Sequence, residues 1–151
     1  METSIEQILS NELSALQSDV ISRHERARQV VSGKTRNAFE VQVFGNAGEL
    51  LGASYAGVLE RGRGAGKVPY NFGEILQRWA AQKGITFKSP ADAKRWAYFV
   101  SKKIKDEGTA LYRSKNTIDI FTQPIANFQE RLQAKIAVFY QSEISNKIFE
   151  K

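Results

Sequence analysis

Between Arg61 and Lys67 the chain reads Arg-Gly-Arg-Gly-Ala-Gly-Lys, the stretch whose residue types come closest to phosphate chemistry. Glycine lets a backbone approach a ligand closely, while Arg and Lys supply charge. A phosphate-binding P-loop needs a glycine five residues before the glycine of its Gly-Lys pair, and Ser or Thr after the lysine. Here those positions hold Arg61 and Val68. The dinucleotide fingerprint G-x-G-x-x-G also fails, because the glycines run Gly62, Gly64, Gly66. What remains is a flexible basic loop. Arg61, Gly62, Arg63, Gly64, Gly66 and Lys67 suit DNA phosphates or an acidic surface on a neighbouring subunit.

The other chemistry-bearing residues are sparse. There is no cysteine, so disulfides, thiolate nucleophiles and Cys-based zinc sites are excluded. His24 is the only histidine and sits between Arg23 and Glu25, which reads as a solvated residue without triad partners. The carboxylates are scattered beside Lys and Arg. Asp106 and Glu107 are adjacent, and helix neighbours do not share a face. Trp79 and Trp96 fall on apolar stripes and read as core, whereas Phe99 lies off its stripe as an exposed contact. No catalytic, cofactor-binding or metal-binding residue is expected, and the chain reads as a non-enzyme.

The charge is unevenly placed. The net charge is +6, and residues 61–105 hold eleven Lys and Arg against Glu74 and Asp92, a local +9 against −3 elsewhere. Such a segment suits a polyanion or an acidic neighbour, or is a solvated face with counter-charges nearby. No apolar run reaches signal-peptide or membrane-spanning length, which points to synthesis and use in the cytoplasm and to no membrane partner.

The elements that must position these residues follow from periodicity. A long helix is expected over 3–32, with Thr3 or Ser4 as cap, Glu6 in a capping box with Thr3, and Gly33 as its stop. Phe39, Val41 and Val43 alternate as a half-buried strand. The turn Gly45-Asn46-Ala47-Gly48 and the return through Leu50 and Leu51 make a β-hairpin. A short helix near Tyr55–Leu59 precedes the glycine loop. Helices follow over 71–83 (Phe72, Ile75, Leu76, Trp79) and 90–107, the second capped by Ser89 and Pro90 with Trp96, Val100 and Ile104 as its stripe. Residues 109–122 read as irregular and flexible, with an edge strand from Ile118, Ile120 and Tyr112. A last helix runs from about Pro124 to the C-terminus. The expected class is α+β. A small antiparallel sheet, the hairpin plus that edge strand, packs against long N- and C-terminal helices and two middle helices. Length suggests a single domain over 1–151.

The stretch Gly52 to Pro69 resembles a segment of siphophage minor tail proteins, the head–tail joining or tail-completion proteins encoded near connector genes. In the type from phages of Bacteroidetes hosts, a loop Y-x-x-x-L-E-x-G-R-G-P-G-K-x-P-P follows a hairpin and precedes a helix. Tyr55, Leu59, Glu60, Gly62, Arg63, Gly64, Gly66, Lys67 and Pro69 match it. A later A-x-x-I-x-x-E-G-T-x-L-Y-R segment is similar to Val100–Arg113, ending in Glu107-Gly108-Thr109-Ala110-Leu111-Tyr112-Arg113. Ala65 and Tyr70 replace two prolines of the pattern, which removes their rigidity from the loop. The resemblance spans most of the chain, and its motifs are structural rather than chemical.

It implies a structural virion protein of the phage neck, part of a homo-oligomeric ring of six or twelve subunits around the DNA channel. Its neighbours would be connector- or portal-side and tail-side proteins, with contact to packaged DNA, assembled in the host bacterial cytoplasm. The alternative from composition is a stand-alone nucleic-acid-binding protein that uses residues 61–105. No recognition-helix or RNA-recognition motif supports that alternative. A small hydrolase is the third reading and lacks a catalytic constellation.

Overall fold

Ser4 opens the first helix by accepting a hydrogen bond from the Gln7 N–H at 3.1 Å. Gln7 occupies the third helical position, where a capping box places Glu or Gln. Its side chain turns forward instead and donates to Asn11 Oδ1 at 3.0 Å. The computed structural model describes residues 4–149, so Thr3, the other expected cap, lies outside the described residues.

In chain order the elements are α1 (Ile5–Arg26), α2 (Lys34–Asn37), β1 (Glu40–Phe44), β2 (Ala47–Leu51), α3 (Gly57–Arg61), α4 (Phe72–Gln82), α5 (Pro90–Glu107), α6 (Ala110–Ser114) and α7 (Thr122–Phe149). The class is α+β, with long helices at both ends and an antiparallel hairpin. The sheet has two strands among the described residues, and no edge strand forms from Ile118 and Ile120. Tyr112 belongs to α6, a helical turn that replaces the expected irregular stretch.

The folded chain is organised as two compact units, interleaved in sequence. The first holds residues 1–28, 34–54 and 119–151, and the second residues 29–33 and 55–118.

In the first unit α1 packs against α7 and both strands. Ile8, Leu9, Leu13, Leu16 and Val20 are buried along one stripe of α1, with Phe39 and Ile120. Glu12 and His24 lie on the same stripe and are buried too, His24 only 2% exposed. The solvated histidine expected from its charged neighbours is therefore corrected: steps of four from Leu16 through Val20 reach His24, so helical phase outweighs sequence neighbours. Phe128, Leu132, Ile136 and Phe139 of α7 are half-buried at steps of three and four. Ile125 and Ile144, also in α7, are exposed.

The hairpin turns more tightly than its glycines suggest. Phe44 pairs with Ala47 across a two-residue Gly45-Asn46 turn. Gly45 has φ +58° and Asn46 has no positive φ, the pattern of a type II′ turn. Gly48 is thereby a strand residue, and a Cβ there would stand 2.6 Å from Leu13 Cδ1. That close approach sets the distance from strand to helix.

The end of α1 also departs from expectation. The helix stops at Arg26, and Arg28 takes the left-handed conformation at φ +55°. Residues 29–33 then join the second unit, where Gln29 Nε2 donates to the Leu59 carbonyl at 2.8 Å.

In the second unit α4 packs on α5. Ser89 caps α5 by accepting from Asp92 N–H at 3.2 Å, with Pro90 at its start and Gly108 at its end. Leu76 and Ala80 are the buried residues of α4, so its buried line is narrower than expected. Ile75 and Trp79 are exposed. Trp79 is thus not core. Trp96 is half-buried and tilts against Phe87, with ring centroids 5.3 Å apart. The same unit supplies its ring partner.

Candidate functional site

Helix α3 delivers Arg61 to the loop, and Gly62 ends it at φ +78°. From there the loop is held along most of its length. Arg63 N–H donates to Thr109 Oγ1 at 3.0 Å, and Thr109 N–H donates back to the Arg63 carbonyl at 2.8 Å. Gly66 N–H donates to the Lys105 carbonyl at 2.9 Å. One residue before the loop, the Glu60 carbonyl accepts from Ile118 N–H at 2.8 Å, and the Glu60 side chain is buried.

These contacts explain the glycines. A Cβ on Gly62 would lie 2.6 Å from both Thr109 Oγ1 and Tyr112 N, and one on Gly108 would lie 2.7 Å from the Arg63 carbonyl. A Cβ on Gly64 would meet the Tyr112 ring at 3.2 Å. The expected flexible arm is therefore corrected. The glycines serve close approach to residues 105–112, and Gly66, at φ +143° with open space around it, serves only the backbone turn.

The cations divide accordingly. Arg63 is half-buried, its guanidinium 5.7 Å from the Phe72 ring centre while also donating to the Lys67 carbonyl. Arg61 and Lys67 are exposed and form no ion pair among the described residues. Of the expected contact residues, then, these two face outward and Arg63 braces the loop. Sequence reading missed Thr109, Gly108 and Tyr112 as the other half of this assembly. The signal available was the Gly-Thr pair after α5, a turn glycine followed by a small hydroxyl.

The electrostatics sharpen the picture. The second unit carries thirteen Lys and Arg against five Asp and Glu, net +8, and the first carries nine against eleven, net −2. Of the ion pairs within 4.0 Å, Arg113–Glu107 at 3.6 Å lies in the second unit. The others, Arg23–Asp19, Arg23–Asp119, Arg36–Glu25, Arg131–Glu12 and Lys135–Glu12, are in the first. Within the positive unit an open cleft of about 410 Å³ lies between α4 and α5, lined by Tyr70, Glu74, Gln77, Lys94, Tyr98 and Ser101. Phe99 is exposed beside it, as its position off the stripe implied.

Compared with known proteins, the chain matches no family model, no curated protein and no solved structure.

Proposed function

We propose that this chain is a structural subunit of a phage head–tail junction, part of a ring around the DNA channel that joins connector to tail, and not an enzyme. The observation that carries the reading is the clasp between residues 60–67 and 105–113. The two segments that resemble neck proteins are hydrogen-bonded into one element, with Arg63 and Thr109, 46 residues apart, bonded to each other. Their shared motifs thus encode one structure, a braced loop that presents Arg61 and Lys67 outward.

A ring of this kind repeats one heterologous contact around its axis. Isolated protein is then monomeric or weakly associated, and the ring orders only with its neighbours. The test is deletion of this gene from the phage genome that encodes it, with electron microscopy of the lysate. Unjoined heads and tails, restored by the gene supplied in trans, are the expected result. Intact tailed particles without the protein would overturn the reading.

The net +8 of the second unit favours one rival, a stand-alone nucleic-acid-binding protein. Mass spectrometry of purified virions separates the two, since a free binding protein is not a stoichiometric virion component.

A further inference from the structure

Helix α5 presents to solvent two parallel rows of side chains. Lys94, Tyr98 and Lys102 make one at steps of four, and Arg95, Phe99 and Lys103 make the other. All six are exposed, with Tyr98 at 63% and Phe99 at 61%. Each row alternates cation, aromatic ring, cation. The rings of Tyr98 and Phe99 meet edge to face, 5.6 Å apart at 72°, so they form one fixed aromatic patch between two pairs of charges. None of the four cations is in an ion pair within 4.0 Å among the described residues. By helical phase the nearest carboxylates on α5 stand at the ends of this face: Asp92 three residues before Arg95, Asp106 one turn beyond Lys102 and Glu107 one turn beyond Lys103.

We infer that this face of α5 is a binding platform for single-stranded nucleic acid, with phosphates on the four cations and bases stacked on Tyr98 and Phe99. Three features select this occupant. Cations at both ends of the patch, none in an ion pair within 4.0 Å among the described residues, suit a polyanion. From Lys94 to Lys102 the helix advances about 12 Å, at 1.5 Å per residue, the reach of a few nucleotides of a strand laid along it. The exposed rings need open base faces, which a single strand offers and a duplex hides in its stack. A membrane-surface helix would instead put aliphatic residues in a continuous apolar stripe with cations at its edges. Here the face carries no continuous aliphatic stripe, and the rings lie within the charge rows. The cleft beside Tyr98, with Tyr70, Lys94 and the Glu74 carboxylate on its walls, gives an unstacked base room next to the patch. The platform is independent of the head–tail reading, and its failure leaves that reading untouched.

The test is fluorescence anisotropy of purified protein with a labelled twenty-nucleotide oligo(dT), a duplex of equal length, and anionic phosphatidylserine vesicles carrying a trace fluorescent lipid. Wild type is expected to bind the single strand more tightly than the duplex, and both more tightly than the vesicles. Tyr98→Ala with Phe99→Ala should weaken single-strand binding about tenfold or more, as stacking predicts, and change duplex binding less than about twofold. Replacing Lys94, Arg95, Lys102 and Lys103 by Ala should weaken both and flatten the salt dependence for the single strand by about 3 in log–log slope. Lys34→Ala with Arg36→Ala, in the other unit, is the control and should change neither. All substituted side chains are exposed, and a melting curve of each variant confirms folding. Absence of single-strand binding at micromolar protein and low salt overturns the proposal. So does duplex or vesicle binding tighter than single-strand binding, or an aromatic variant that binds the single strand as wild type does.

Discussion

Arg63 and Thr109 hold each other by two hydrogen bonds, from Arg63 N–H to Thr109 Oγ1 at 3.0 Å and from Thr109 N–H to the Arg63 carbonyl at 2.8 Å. The adjoining glycines are what let two backbones come this close. Gly108→Ala places a methyl 2.7 Å from the Arg63 carbonyl at φ +83°, a conformation that L side chains rarely adopt. It should destabilise the protein by about 2 kcal/mol or more. Gly73→Ala, in α4 with nothing within 4 Å of the added carbon, should stabilise by about 0.5–1 kcal/mol. Urea denaturation of the two variants reads the contrast directly. Equal effects would mean that the loop is not clasped.

Within the clasp the three loop cations should separate. Arg61→Ala with Lys67→Ala should leave the melting temperature within roughly 2 °C of wild type, because exposed charges contribute little to the monomer. Arg63→Ala loses the stacking on Phe72 and the bond to the Lys67 carbonyl, about 1 kcal/mol together and roughly 3 °C. If Arg61 and Lys67 meet a neighbour in the virion, the double variant reduces incorporation while folding normally. Normal infectivity would return both to the class of solvated surface residues.

Glu12 is buried to 3% exposure and bonded to Arg131 at 2.7 Å and to Lys135. The hydrogen bond from Lys135, reinforced by Arg131, holds its carboxyl below its ordinary value of 4.5 against the opposing effect of burial. A depressed folded-state pKa stabilises above the unfolded value and loses that contribution as pH falls through the folded value. Glu12→Gln should therefore cost about 1.5–3 kcal/mol at pH 7, the worth of hydrogen bonds to a charged group. The difference from wild type should shrink as pH drops below about 4.5. Denaturation midpoints measured from pH 7 to pH 3 give the comparison, and a gap that widens toward acid would refute the pairing.

Trp96 is half-buried against Phe87, and Trp79 is 40% exposed. Trp96→Ala should cost about 2 kcal/mol, from partial apolar burial and one ring–ring contact, below the cost of deleting a core aromatic. Trp79→Ala should cost less than about 1 kcal/mol. Chemical denaturation ranks them, and a reversed order would place the buried line of α4 on the wrong side.

Local chemistry was legible in the sequence at several helix ends, though not at Gly33, which does not stop α1, nor in the length of the hairpin turn. Ser4, the Ser89-Pro90 pair and Gly108 mark helix ends because caps and left-handed stops depend on neighbours in the chain. The α+β class, the hairpin and the four main helices follow from periods of two and 3.6. Even the burial of Glu12 and His24 was written in the phase of α1, though their polar character hid it. The tertiary structure alone decided contacts between distant segments. Past the stop of α1 at Arg26, residues 29–33 group with the second unit, and the role of Gly62 and Gly64 depends on Thr109 and Tyr112. Tyr112 lies in a helical turn instead of an edge strand, where its ring and backbone stand against Gly62 and Gly64. A glycine's spacing says that the backbone is permitted to be unusual, but the atom that would strike its missing side chain is supplied by the fold.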